Sequence, residues 1–201
     1  MDDRVTDIIS EVGEFFLDVF LKEGLLKDFP VIGTVIKTLQ LGNDISNHLL
    51  ARKLQAFLRR INDHDVKAID EEIMGKGKLT ELGCELIFII DSAQNINRAE
   101  WLAQAVIGLS ERRYDVDTFQ RLINVIQRYS PPLTKCMASY YSDIPIGFDA
   151  DFQYELSNLG LLKHNPIYTT QYHTTNLGKA MWYVLECSGE LDKIINSNNE
   201  G

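Results

Sequence analysis

The sequence predicts a mainly α-helical protein: an N-terminal helical bundle followed by a small C-terminal module that holds a short β-hairpin. Three observations predict it. Apolar residues recur at three- and four-residue spacing through most of the 201 residues. Glycines, prolines and capping residues punctuate those stretches at helix-length intervals. One segment, from Asp149 to Glu186, departs from that rhythm and reads as helix, strand, turn, strand, helix.

The first helix spans about 5–21, with Val5, Ile8, Ile9, Val12, Phe16, Val19 and Phe20 on one stripe and Gly24 as its stop. Pro30 opens a second helix, where its missing N–H costs nothing, and Val31, Ile32, Val35, Ile36 and Leu39 keep the helical spacing. Gly42-Asn43 breaks it. Asp44 caps a third helix through Leu49, Leu50, Leu54, Phe57, Leu58 and Ile61, whose other face carries Arg52, Lys53, Arg59 and Arg60. A short acidic helix at 65–74 and the loop Gly75-Lys76-Gly77-Lys78 follow. Thr80 caps or begins a helix through Leu82, Leu86, Ile87, Ile89 and Ile90. That helix is apolar on most sides and is expected at the bundle centre.

Asn97 caps the next helix, 98–110, with Trp101, Leu102, Ala105, Val106 and Leu109 inward and Arg112-Arg113 after its C-terminus. Asp115 or Asp117 caps a helix carrying Phe119, Leu122, Ile123, Val125 and Ile126. Ser130-Pro131-Pro132 breaks that helix and starts another, 131–141. Ile144-Pro145-Ile146-Gly147 reads as a linker. The resulting layout is a bundle at 3–144, a module at 145–190 and a flexible tail at 191–201. Within the module, a helix over 149–159 leads to a strand starting at Gly160, a turn at His164-Asn165-Pro166, a return strand over 167–174 and a closing helix over 175–186.

The segment Leu156-Ser157-Asn158-Leu159-Gly160-Leu161-Leu162 resembles the end of a winged-helix recognition helix running into the wing, where that superfamily often reads L-x-x-L-G-L-[IL]. Tyr172-His173-Thr174-Thr175-Asn176-Leu177-Gly178 resembles the exit from the wing, Y-x-[LIV]-T-x-x-G, with Thr174 at the apolar position. The resemblance covers roughly the last quarter of the chain. It implies a winged-helix module, a scaffold that serves DNA binding, protein docking and dimerisation alike. The N-terminal two thirds are loosely similar to uncharacterised bacterial and phage helical proteins with a proline-apolar-apolar-glycine turn, here Pro30-Val31-Ile32-Gly33.

Charge argues against the DNA-binding version. The formal net charge is -9, and no arginine occurs between Tyr129 and Gly201. Such a surface repels phosphate, and a recognition helix without cations lacks the usual backbone contacts. The recognition helix offers Gln153 and Asn158, with acidic neighbours. Membrane association is disfavoured by the same charge. No apolar run reaches the ~18 residues of a spanning helix. The N-terminus, with Asp2 and Asp3, lacks a basic segment leading into an apolar one, so a cytoplasmic location is expected.

No catalytic, cofactor or metal constellation emerges. His48, His64, His164 and His173 form no metal-binding spacing, although the last two would face each other across the hairpin. Asp115-Val116-Asp117 lacks the remaining calcium-loop ligands, and the loop at 75–78 lacks a complete phosphate-binding pattern. Cys84, Cys136 and Cys187 are scattered among apolar residues and read as small core residues of a reducing compartment.

The expected function is therefore non-enzymatic: a regulatory or interaction protein whose acidic module docks a protein partner. Gln153, Asn158, Tyr168 and Tyr172 are its candidate contacts, and Arg52, Lys53, Arg59 and Arg60 form a second surface for an anionic partner. The module's aromatics, Phe148, Phe152, Tyr154, Tyr168, Tyr172, Trp182 and Tyr183, exceed what so small a unit buries and suit a contact or homodimer surface. Two alternatives stand beside it. One is a dimeric DNA-binding regulator with borrowed basic residues. The other is a membrane-active effector using the N-terminal amphipathic helices.

Overall fold

The computed structural model describes residues 45–62, 85–86, 88–93, 96–142, 149–165 and 171–191. The helices expected at 5–21, 30–39 and 65–74, the loop at 75–78, the linker at 144–147, Tyr168 and the tail from 192 lie outside the described residues. The described chain is mainly α-helical, with one two-stranded antiparallel sheet. The chain divides into two compact units, with the boundary between Glu111 and Arg112.

In the first unit, α1 (Ile45–Asn62) packs against α2 (Ile96–Ser110). Leu54, Phe57, Leu58 and Ile61 of α1 are buried at the three- and four-residue spacing that defines one helical face. Every residue of α2 over 101–110 is buried, which its run of alanines, Trp101, Val106, Ile107 and Leu109 permits. Two of the polar side chains along this helix are satisfied within the unit: Arg60 Nε donates to Gln104 Oε1 at 3.2 Å, and Ser110 Oγ donates to the Ile107 carbonyl at 2.8 Å. Asn97 lies inside α2 and does not cap it, since the helix already begins at Ile96. The stretch 88–92 is helical but not central. Leu86, Ile89 and Ile90 are buried, yet Phe88 is 72 % exposed and Glu85, Asp91 and Ser92 are also exposed.

The second unit runs α3 (Val116–Arg128), α4 (Leu133–Tyr141), α5 (Asp151–Asn158), β1 (Leu162–His164), β2 (Tyr172–Thr174) and α6 (Asn176–Cys187). Asp115 is the N-cap of α3, its carboxylate accepting from the Thr118 N–H at 2.8 Å. Phe119, Leu122, Ile123 and Ile126 then line its buried face. Burying each such side chain contributes about 2 kcal/mol. Tyr129 ends α3 in extended backbone, and its buried hydroxyl donates to Thr134 Oγ1 at 3.1 Å. Pro131 and Pro132 form a turn ahead of α4, which starts at Leu133. α6 packs on α3 and α4, while α5 packs on α4 and β1. The compact unit thus begins ahead of the break read near residue 144, because α3 and α4 supply the core on which the hairpin and α6 rest.

The strands pair antiparallel, Leu162 with Thr174, Lys163 with His173 and His164 with Tyr172. His164 is therefore a strand residue. Pairing continues through the Asn165 N–H, which donates to the Gln171 carbonyl at 2.9 Å, and Pro166 of the expected turn lies outside the described residues.

Candidate docking face on the second unit

The joint that holds α5 and the hairpin in place is built from backbone groups. Gly160 leaves α5 with φ +75, a left-handed conformation that favours glycine. The Gly160 N–H donates to the Ser157 carbonyl and the Leu161 N–H to the Leu156 carbonyl, both at 2.9 Å, and Leu156 and Leu161 are buried. That pairing is a Schellman C-cap. The Tyr141 hydroxyl of α4 donates to the Leu161 carbonyl and accepts from the Thr175 N–H at 3.0 Å. Thr175 Oγ1 lies 2.8 Å from the Gly160 carbonyl and 3.1 Å from the Leu161 carbonyl, and it accepts from the Gly178 N–H at 2.9 Å as the N-cap of α6. Gly178 makes this close approach possible, since a Cβ there would overlap the Tyr141 hydroxyl and the Leu161 carbonyl. Partial burial raises the Tyr141 phenol pKa.

This joint turns one face of α5 outward. Asp151, Tyr154, Glu155 and Asn158 are exposed and recur at helical spacing, Tyr154 being 70 % exposed. The half-buried Gln153 looks the other way, its Nε2 donating to the Tyr140 hydroxyl at 2.7 Å. On the hairpin, Tyr172 is half-buried and meets His164 edge-on, ring centroids 5.2 Å apart. His173 lies on the opposite face, with Asn165 Nδ2 3.5 Å from its Nε2, so the two histidines do not face each other.

The basic residues of α1 do not form one outward stripe. Arg52 and Arg59 are exposed and Arg60 is half-buried against Gln104. Lys53 is 3 % exposed, and its Nζ donates to the Asp91 carbonyl at 2.7 Å. Its aliphatic stem shares a face with Phe57, one turn on, and carries the ammonium to a backbone acceptor. Of the sequence candidates, then, Asn158, Arg52 and Arg59 lie open to solvent, while Gln153, Lys53 and Arg60 hold internal bonds.

Elsewhere in the second unit, a cleft of about 450 Å³ lies between the start of α3 and the first turns of α6. Arg113 and Lys179 line it beside Asp115, and the Arg113 guanidinium carbon sits 4.4 Å from the centre of the Tyr183 ring. The Asp115 carboxyl is held below the usual carboxylate range by its bonds to Thr118. Burial pushes the Cys136 thiol up to about 12, which leaves it protonated and unreactive at neutral pH. Among the described residues no group of His, Cys, Asp and Glu is placed to hold a metal ion. No described helix is long and apolar enough to cross a membrane.

Sequence reasoning singled out the amides of α5 and counted Tyr154 among the aromatics suited to a contact surface, but missed Asp151 and Glu155 as contacts. The signal was their spacing, which puts them and Tyr154 on the side of the helix away from the buried Leu156. No protein-family profile, no curated protein and no solved structure matches this chain.

Proposed function

We propose that the second unit is a winged-helix module that docks a protein partner, without catalysis, through the outer face of α5 and the adjoining hairpin. In this reading α5 is the recognition helix and β1–β2 the wing. The order of three helices, a hairpin and a closing helix supports it, as do the Gly160 exit and the Thr175 cap at the positions that the family motifs occupy.

The observation that carries the docking role is the exposed stripe of Asp151, Tyr154, Glu155 and Asn158. A face with two carboxylates and no cation repels a phosphate backbone, whereas an exposed tyrosine suits a protein interface. The alternative, a dimeric DNA-binding regulator, needs a basic surface, for which either the exposed Arg52 and Arg59 of the first unit or Arg112 and Arg113 of the second are the candidates.

Titrating labelled duplex DNA with the full chain at low salt, and again with salt raised, separates the two. The docking reading predicts no saturable binding. Saturable binding that weakens steeply with salt overturns it.

A further inference from the structure

We propose that the outer face of α5 seats an arginine-bearing segment of a partner protein, the Tyr154 ring stacking on a guanidinium that the Asp151 and Glu155 carboxylates flank. This deepens the protein-docking reading and rests on it.

The stripe is unusual in what it leaves uncompensated. Asp151 and Glu155 are four residues apart, so two like charges sit one turn above each other and repel. α5 carries no basic residue of its own. Tyr154, one turn from Asp151 on the same side of the helix, is 70 % exposed and packs on no other ring among the described residues. A docked cation relieves the carboxylate repulsion and covers the ring together, which neither group achieves alone.

Arginine fits better than lysine. The guanidinium is planar, stacks on an aromatic face and presents forked donors that reach two carboxylates. The chain already uses this pairing where Arg113 lies over Tyr183 at 4.4 Å. Asn158, one turn beyond Tyr154, offers an amide to the backbone of the docked segment. The net charge of -9 attracts a basic partner at long range and raises its encounter rate.

The test uses the full chain and three short labelled glycine-serine peptides, carrying arginines, lysines at the same positions, or neither. The arginine peptide should bind about threefold more tightly than the lysine peptide, and the uncharged peptide should not bind. Tyr154→Ala should erase the arginine preference. Asp151→Asn combined with Glu155→Gln should weaken arginine-peptide binding about tenfold. Asp117→Asn combined with Glu186→Gln removes the same charge from exposed positions on α3 and α6 and should leave binding unchanged.

Equal losses in the α5 variant and the charge control would overturn the proposal, as would an arginine preference that survives Tyr154→Ala. A duplex titration in the same buffer separates the failures. Duplex binding sinks the docking reading itself. Neither peptide nor duplex binding sinks only the arginine seat.

Discussion

Two parts of the second unit, only a few residues apart in sequence, use their polar groups in opposite ways. At the inner joint, Tyr141, Thr175 and the carbonyls of Gly160 and Leu161 bond one another, and Gly178 is bare so that they can approach. On the outer face of α5, Asp151, Tyr154, Glu155 and Asn158 leave their side chains in solvent. Satisfied polar groups at close approach make a scaffold, and uncompensated ones on a regular helix make a surface available to a partner. Stability and binding should therefore respond to different substitutions.

The largest effect is expected at Gly178. A methyl group there overlaps the Tyr141 hydroxyl and a backbone carbonyl, so Gly178→Ala should cost about 3 kcal/mol in urea unfolding. A smaller loss, with unchanged cooperativity, would mean that α4 and α6 can move apart. Tyr141→Phe deletes one hydroxyl that serves two backbone groups and leaves the Thr175 N–H short of its acceptor. It should cost about 2 kcal/mol. Thr175→Ala removes the α6 N-cap and should cost about 1 kcal/mol. Tyr154→Ala, on the outer face, should leave the unfolding free energy within about 0.5 kcal/mol of the parent. If it matched Thr175→Ala, the division between joint and face would fail.

A pH series sharpens the same comparison at another cap. Bonds to Thr118 lower the Asp115 carboxyl below its unfolded value of about 3.9. A depressed folded value means that its contribution is present above the unfolded value and is lost as pH falls through the folded one. The parent should thus be more stable than Asp115→Ala at neutral pH, and the gap should close in strong acid. A gap that persists there would place the effect in packing and not in the carboxylate.

Much of this scaffold was legible in the sequence because single residues dictate it. Asp115 and Thr175 cap because a short oxygen-bearing side chain ahead of an apolar repeat has N–H groups to meet. Gly160 marks the exit of α5 because a left-handed residue was needed there. The hairpin was less legible. The register, Leu162 with Thr174 through His164 with Tyr172 and on to Asn165 with Gln171, follows from no single residue of either strand. Lys53 and Phe88 escape the sequence for a related reason. Residue type predicts burial only on average, and a buried lysine with a carbonyl within reach or a phenylalanine in solvent depends on neighbours distant in sequence. On the candidate face, Asn158 and Tyr154 were found from their chemistry, whereas Asp151 and Glu155 needed the knowledge of which side of α5 the joint turns outward.

The most direct test of the account is to follow the backbone amides of the full, ¹⁵N-labelled chain by NMR as the arginine-bearing peptide is added. The account predicts shifts concentrated on α5 and β1, with the amides of α3 and the interior of α6 unmoved. Shifts centred instead on the cleft beside Arg113 and Lys179, or spread evenly over the acidic surface, would contradict it.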